Sequence, residues 1–266
     1  MVKLITVATH SDGYFPYLKK SCERFSDQLI VLGWGMKWTG FRMKTNIVYE
    51  YVSQLQDDDI VCVIDSFDIM MLRSTTELEE TFRSYSMLTG HRVIVGCDKS
   101  PSWIIRQITH LHFGTCHDMF LNAGSYIGFV KDVKSFIKHI VNHPNDDDQV
   151  AMIEYVKKHP HTIHIDSSSL FFLTINYPVG EFLCDERIKI KDTTLWYRGL
   201  RPFFAHGNGN TDMCSLIKQL GYTITEKDLK MIRSKATVTQ FFKTVGYFYP
   251  FIILFTLAIV LLVYYV

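Results

Sequence analysis

The chain has 266 residues, of which 47% are hydrophobic and 21% are charged, and its formal net charge is +1. This composition permits a sizeable core and excludes an intrinsically disordered chain. A net charge so close to zero provides no general attraction for nucleic acid, so no nucleic-acid partner is expected. Recognition must therefore depend on local groups of residues.

Strands and helices are predicted to alternate along the chain. The run Ile60–Ile64 is apolar throughout, which is typical of a strand that is buried on both faces of a sheet. The other strands are expected at 4–8, 29–32, 93–95, 124–129, 163–165 and 203–205, and the helices at 17–25, 43–55, 75–85, 134–141 and 149–157. This alternation predicts a doubly wound, Rossmann-like α/β domain, in which ligands bind beyond the carboxyl ends of the strands.

Two carboxylates follow the apolar run Ile60–Ile64 directly, in the segment Asp65–Asp68. They concentrate negative charge at the edge of the predicted sheet. Hard divalent cations such as Mg²⁺ or Mn²⁺ prefer such oxygen ligands, and a nucleotide diphosphate would complete their coordination. The alternative interpretation is a solvated strand end that binds nothing.

The segment His206–Gly209 also follows a predicted strand. A histidine at a strand end can supply a third ligand to the cation, and Gly207 and Gly209 would let the backbone approach a ligand closely. An ordinary turn with an incidental histidine is the alternative. The remaining histidines, His143 among them, show no ligand spacing and are interpreted as surface or core residues.

A third polar segment, Asn145–Gln149, lies at the start of a predicted helix. Carboxylates are favourable at a helix N-terminus, so capping alone explains them. In the functional interpretation, Asp148 and Gln149 lie in the first helical turn, and one carboxylate binds sugar hydroxyls or faces an acceptor. The segment Leu121–Gly128 offers small residues against which a sugar could lie, or is an ordinary turn into a strand.

The last part of the chain is expected to form a membrane anchor. No residue from Val245 to Val266 is charged, and about 20 apolar residues in a helix span the hydrocarbon core of a bilayer. A buried core helix is the alternative. Basic residues precede the span and no charge follows it, so the positive-inside rule predicts a tail-anchored protein with its large domain in the cytoplasm. The expected divisions are a domain at 1–222, a basic linker at 223–244 and a transmembrane helix at 245–266.

Taken together and in order, these segments resemble the glycosyltransferase domain of procollagen lysyl hydroxylases and the related collagen galactosyltransferases. The resemblance extends from about Met1 to Tyr222. It depends on the joint order and spacing of the pieces rather than on any single one. The matching pieces are Val7–Thr9 with Gly13 and Phe15, Gly33–Trp38, Lys44, Asp65–Asp68, Leu121–Gly128, Asp146–Gln149 and His206–Gly209.

The resemblance implies a GT-A fold, a UDP-sugar donor and Mn²⁺, with Mg²⁺ as the second choice. The implied metal ligands are Asp65, Asp68 and His206, and Asp65 is implied to bridge the metal and the ribose. The residues implied to line the nucleoside are Thr9, Trp38 and Phe67. The residues implied near the diphosphate or the transferred sugar are Lys44, Asn122, Asp146, Asp148, Gln149, Gly207, Asn208 and Gly209. The family often has tyrosine where this chain has Phe67, so stacking is retained and a hydroxyl contact is lost.

The predicted reaction is transfer of a hexose, glucose or galactose, from a UDP-sugar to a hydroxyl group on hydroxylysine or a protein-linked glycan. Asp148 is the candidate base if the reaction inverts the anomeric centre, with Asp146 and Lys44 beside it in the predicted catalytic group. If configuration is retained, no base is needed on that face. Two alternatives are a catalytically inactive, membrane-anchored protein that binds nucleotide or sugar, and a structural membrane protein of a virion.

Overall fold

A computed structural model describes residues 1–98, 120–175, 188–209, 211–234 and 256. The strands are β1 Lys3–Val7, β2 Leu29–Leu32, β3 Ile60–Ile64, β4 Ile69–Met71, β5 Val93–Asp98, β6 Phe120–Phe129, β7 Ile163–Ile165, β8 Phe172–Thr174, β9 Ile188–Lys191, β10 Thr194–Tyr197 and β11 Phe204–His206. The helices are α1 Phe15–Arg24, α2 Phe41–Val52, α3 Thr75–Thr89, α4 Val130–Val141, α5 Asp148–Lys158 and α6 Cys214–Gln219.

One mixed sheet forms the centre of the described part of the chain. Its order is β2-β1-β3-β6-β5-β8-β11-β4, with β7 beside β5. Strands β2, β1 and β3 are parallel, whereas β6 runs antiparallel to both β3 and β5. At the far edge, β4 runs antiparallel to β11. Strands β9 and β10 form a separate antiparallel ribbon.

Helices cover both faces of the sheet, as the contacts on the two sides of β3 show. Its residues alternate between two cores, and all of them are at most 1% exposed. Ile60 and Cys62 pack in a cluster with residues of α1 and α3, while Val61 and Val63 pack with residues of α2, α4 and α5. An uninterrupted apolar strand is the expected result when both faces are covered. The predicted doubly wound α/β sheet is confirmed.

Strand β6 is irregular where it pairs with β5. Val95 of β5 lies opposite Tyr126, but the next residue, Gly96, lies opposite Asn122. Residues 123–125 therefore have no partner on β5, which is the pattern of a β-bulge. On the other side of β6 the pairing with β3 continues as far as Ser125.

The predicted linker begins with a packed helical segment. Residues 226–234 are helical, and Ile232 is 3% exposed in a cluster that includes residues of α6. The hydroxyl of Tyr17 donates a hydrogen bond of 2.8 Å to Asp228. No helix among residues 1–98, 120–175, 188–209 and 211–234 is long and apolar enough to cross a bilayer. The span predicted at 245–266 lies outside the described residues except for Thr256.

Asp166 fixes the turn between β7 and β8. It is 1% exposed, and its carboxylate accepts hydrogen bonds from the backbone N–H groups of Leu170, Phe171 and Phe172 at 3.0, 2.7 and 2.8 Å. The hydroxyl of Ser168 donates a further bond of 2.9 Å. The side chain of Asp166 therefore provides the hydrogen-bond acceptor for three backbone N–H groups that lead into β8. Strand β8 is next to β11, which carries His206.

We expect Asp166→Ala to lower the free energy of unfolding by about 3 kcal/mol, because the buried N–H groups of Phe171 and Phe172 and the partly buried N–H of Leu170 lose their charged acceptor. Asp166→Asn should lose less, since its amide oxygen can still accept. Urea unfolding of both variants measures the difference. A loss below about 1 kcal/mol for Asp166→Ala would mean that the turn forms without this carboxylate.

Candidate active site

Asp65, Asp68 and His206 converge at one edge of the sheet and are called here the Asp–Asp–His cluster. One ligand atom from each of the three side chains lies within 4.8 Å of the other two. Asp65 follows β3, Asp68 precedes β4 and His206 ends β11. The antiparallel pairing of β4 with β11 sets His206 opposite Ile69, and so next to Asp68. The resulting distance from His206 Nε2 to Asp68 Oδ2 is 3.3 Å.

The cluster has the chemistry of a divalent-cation site. His206 is 1% exposed, its Nδ1 makes no hydrogen bond with a described residue, and its Nε2 lies 3.3 Å from Asp68 Oδ2 without the geometry of a hydrogen bond. Buried polar atoms are normally satisfied, so an imidazole that faces two carboxylates without hydrogen bonds fits a metal ligand. A mixed set of nitrogen and oxygen donors suits Mn²⁺ among other divalent ions.

The protonation of the cluster without a cation reflects crowded negative charge. Burial by itself lowers the pKa of His206, but the carboxylates of Asp68, Asp65 and Asp98 outweigh it and raise that pKa above its ordinary value. Burial and the charge of Asp68 raise the pKa of Asp65, against the opposing effect of Lys44. Positive charge is therefore favourable here.

Gly124 makes room for this convergence. A Cβ atom at this position would lie 2.5 Å from His206 Cε1 and 2.6 Å from Asp65 Oδ2. Such distances are shorter than any normal contact, so only a residue without a side chain fits between His206 and Asp65 as they are arranged here. The carbonyl of Gly124 also accepts a hydrogen bond of 2.8 Å from the N–H of Asp65. The bulge in β6 thus places a residue without a side chain, Gly124, beside the cluster.

Lys44 joins the cluster to the start of α5. Its Nζ lies 2.7 Å from Asp65 Oδ1 and 3.5 Å from Asp148 Oδ2. The side chain of Lys44 is only 12% exposed, so this ammonium group is largely shielded from water. The two oxygens of Asp65 are therefore used differently, because Oδ1 faces Lys44 while Oδ2 lies beside Gly124 and His206.

We expect Lys44→Met to lower kcat with the UDP-sugar donor that the sequence resemblance implies by about 100-fold, because it removes the positive charge that orients Asp65 and Asp148. Lys134→Met is the matched control, since Lys134 forms its ion pair with Asp57, at 3.0 Å. Steady-state kinetics of both variants, with thermal unfolding as a check on folding, makes the comparison. Equal kcat values in the two variants would contradict this role of Lys44.

The residues predicted to line the nucleoside lie near the same edge. Thr9 follows β1, and its carbonyl accepts a hydrogen bond of 2.9 Å from the N–H of Gly35 in the loop that contains Trp38. Trp38 is 45% exposed and leaves an aromatic face accessible. Phe67 packs against the ring of His10 with centroids 5.4 Å apart.

Gly13 holds the loop after β1 against the segment Asp65–Asp68. Its φ is +52°, and a Cβ atom there would lie 2.5 Å from the carbonyl oxygen of Phe67. The N–H of Tyr14 donates a hydrogen bond of 2.8 Å to that same oxygen. A glycine is needed for both the positive φ and the close approach.

The acidic residues of the segment 145–149 point in different directions. The side chain of Asp146 is 82% exposed and forms an ion pair of 2.5 Å with Arg42. Asp147 is the N-cap of α5 and accepts hydrogen bonds from the N–H groups of Gln149 and Val150. Asp148 is 7% exposed and faces Lys44. Asp148 therefore lies next to the cluster, whereas Asp146 does not contact it among the described contacts.

Asn122 is also brought to the cluster. It is 4% exposed, and its Oδ1 accepts a hydrogen bond of 2.9 Å from the N–H of Gly124. Gln149 is half-buried in the first turn of α5, as the sequence predicted. Their roles toward a sugar remain predictions.

The segment His206–Gly209 connects three parts of the site. The N–H of Gly207 donates a hydrogen bond of 2.7 Å to the carbonyl of Asp68. The Nδ2 of Asn208 donates one of 2.8 Å to Asp98 at the end of β5. Asp98 was not among the residues predicted from the sequence, although its place at the end of a strand was the available signal. Gly209 continues the same turn, with a φ of +62°.

Comparison with known proteins identifies one family and several relatives. The family described as PLOD GT domain matches residues 1–228. Human multifunctional procollagen lysine hydroxylase and glycosyltransferase LH3 is 25% identical over 231 residues, covering 79% of this chain and 30% of the relative. Protein R699 of Acanthamoeba polyphaga mimivirus is 24% identical over 236 residues, covering 84% of this chain and 49% of the relative.

A solved structure of the galactosyltransferase LgtC with donor and acceptor sugar analogs has a TM-score of 0.48 and 15% identity, covering 87% of this chain and 100% of that one. This chain spans less than half the length of LH3 and R699. The family match covers most of the chain and includes the whole Asp–Asp–His cluster. The chain therefore belongs to the PLOD family of glycosyltransferase domains.

Proposed function

We propose that this domain transfers a hexose, glucose or galactose, from a UDP-sugar to a hydroxyl acceptor with the help of a divalent cation. The observation that carries the proposal is the Asp–Asp–His cluster, with its unsatisfied imidazole and the room provided by Gly124. The names of the human relative motivate hydroxylysine, or a sugar already attached to it, as the first acceptor to test.

Asp65, Asp68 and His206 would hold Mn²⁺, or Mg²⁺ as the second choice. Once bound, the ion would supply Lewis-acid stabilisation of the negative charge on the departing diphosphate. Lys44 already contacts Asp65, so it lies where a further positive charge would face the same phosphates. Thr9, Trp38 and Phe67 would hold the nucleoside, with Trp38 providing the accessible ring.

Asp148 is the proposed base if the transfer inverts the anomeric centre. It is largely buried, and Lys44 holds its carboxylate toward the cluster. A base must be positioned within reach of the acceptor hydroxyl, and the first turn of α5 presents Asp148 at the same edge as the cluster. If configuration is retained, Asp148 instead orients the sugar together with Asn122 and Gln149.

The decisive experiment incubates the full chain in detergent with a panel of UDP-sugars, Mn²⁺ and acceptors that carry hydroxylysine, and follows UDP release and product mass. Turnover with UDP-glucose or UDP-galactose is the expected result. Binding of UDP without hydrolysis or transfer of any donor would favour the inactive binding protein. A protein without affinity for UDP would favour a structural role.

We also propose that residues 245–266 anchor the domain to a membrane with the domain on the cytoplasmic side. The support is the uncharged apolar sequence and the basic residues that precede it. The chain expressed in cells should remain in the membrane fraction after alkaline extraction, and protease added to intact vesicles should digest the domain. Release by alkali, or protection from the protease, would contradict the anchor or its orientation.

A further inference from the structure

Two histidines and a glutamate form a second group of ligand-type side chains, outside the Asp–Asp–His cluster. His139 lies in the last turn of α4, His143 follows that helix and Glu154 lies on α5. One ligand atom of each lies within 4.8 Å of the other two, and these residues are called here the His–His–Glu cluster. The expectation that the remaining histidines show no ligand spacing was wrong for His139 and His143, which are four residues apart, and the glutamate of the cluster comes from another helix.

The distances in the His–His–Glu cluster are close to those of a metal site. The Nε2 of His143 lies 3.3 Å from Glu154 Oε2, and the rings of His139 and His143 have centroids 5.6 Å apart. Bonds from zinc to nitrogen or oxygen are about 2.0–2.2 Å, so two ligands of one tetrahedral ion lie about 3.3 Å apart. The three ligand atoms lie within 4.8 Å of one another, so small rotations of the side chains would bring them to the spacing of ligands around one ion.

A second observation concerns the other histidine. The Nε2 of His139 is shielded from solvent and makes no hydrogen bond with any described residue. A simple ion pair between His143 and Glu154 explains only those two side chains and leaves this nitrogen unsatisfied. An ion bound by all three side chains would account for the position of each of them, because it would also give a ring nitrogen of His139 a partner.

We propose that the His–His–Glu cluster binds a divalent transition-metal ion of the zinc class, which links the end of α4 to α5. Two imidazoles and one carboxylate favour Zn²⁺ over the harder Mn²⁺ and Mg²⁺. The bound ion stabilises the connection that leads to Asp147 and Asp148 at the start of α5. This assignment is independent of the proposed transferase activity, because it needs no donor sugar and no residue of the Asp–Asp–His cluster.

One hydrogen bond changes when the ion binds. The Nδ1 of His143 accepts a bond of 3.2 Å from the N–H of Asn145, so its Nε2 carries the proton in the neutral ring. Metal binding at Nε2 displaces this proton, which moves to Nδ1, and the ring stays neutral. The N–H of Asn145 then turns to solvent, since the segment around it is exposed. Faster hydrogen exchange at Asn145 is the expected sign of this change.

Calorimetric titration with Zn²⁺ tests the proposal on the full chain in detergent. Asp68→Ala is the background, because it removes a ligand of the Asp–Asp–His cluster and leaves the second group intact. This background should bind one equivalent of Zn²⁺. Adding His139→Gln or Glu154→Gln should each weaken binding at least about tenfold, since each removes one ligand. His159→Gln is the matched control and should bind as the background does.

Thermal unfolding without metal identifies any variant that fails to fold, and Glu154→Asp replaces Glu154→Gln in that case. At the same Zn²⁺ concentration, the unfolding midpoint should rise equally in the background and in His159→Gln, and should rise less in His139→Gln. No Zn²⁺ binding by the background would overturn the proposal. So would equal affinity in His139→Gln and the background, because the contact would then be only an ion pair of His143 and Glu154.

Discussion

Replacing Asp68 with alanine is expected to abolish Mn²⁺-dependent turnover of UDP-sugar, with a loss of about 1,000-fold or more. The substitution removes a carboxylate that lies 3.3 Å from His206 Nε2 and leaves two of the three expected ligands. In the proposed reaction the bound ion would stabilise the leaving diphosphate, so we expect the effect on kcat as well as on binding. UDP release, measured across a range of Mn²⁺ concentrations, gives both quantities.

Two companion variants sharpen this result. Asp68→Asn retains the size of the side chain and loses its charge, so it should resemble Asp68→Ala in activity. Asp132 lies on α4, and its Oδ2 is 3.2 Å from Nε of Arg92. Asp132→Ala therefore removes a carboxylate outside the cluster and should retain activity. Full Mn²⁺-dependent activity in Asp68→Ala would defeat the metal assignment, whatever the other residues of the cluster do.

Replacing Gly124 with alanine should weaken Mn²⁺ binding by about 100-fold, although the substitution touches neither the charge nor the identity of a ligand. The added methyl group would meet His206 Cε1 and Asp65 Oδ2 at 2.5 and 2.6 Å. The backbone of His206 is paired within the sheet and the carboxylate of Asp65 is held by Lys44, so relief of the clash has to come from rotation of the two side chains away from their positions in the cluster. Titration of free Mn²⁺ by electron paramagnetic resonance measures the affinity directly.

Gly128→Ala is the matched control for this prediction. It lies on the same strand, but its added methyl group would meet Val133 and the carbonyl of Arg92 at 2.7 and 2.9 Å. Overpacking of this kind should lower stability by about 1–3 kcal/mol and leave the Mn²⁺ affinity of the folded protein unchanged. If Gly124→Ala also retained wild-type affinity and lost only stability, its role would be confined to packing.

The sequence predicted best those segments in which the burial of the side chains can be read from a short local pattern. The run Ile60–Ile64 is β3 to the residue, because only a strand covered on both faces tolerates five buried apolar side chains in succession. His206 proved to lie at a strand end as expected. Strand β4 was missed because its three residues, Ile69–Met71, are too few to show a period.

Other features depend on tertiary contacts that no local pattern contains. Three adjacent carboxylates look equivalent in the sequence, yet Asp146 faces Arg42, Asp147 caps α5 and Asp148 faces Lys44. Successive residues at a helix start point in different directions, so only the position of the neighbouring helix separates them. The need for glycine at position 124 likewise arises from strands β3 and β11, which are distant in the sequence.

The three residues of β6 without partners on β5 make this strand intolerant of changes in length. Leu121 and Ala123 face the core formed with α4 and α5, and so does Tyr126, although regular alternation would turn it to the opposite face. Deleting one residue between Ala123 and Tyr126 would leave Tyr126 on the same face by regular alternation, but it would remove part of the irregular backbone that places Gly124 beside His206 and Asp65, whereas adding one residue would turn the second half of the strand over. Insertions and deletions among natural variants of this domain should therefore avoid residues 120–129.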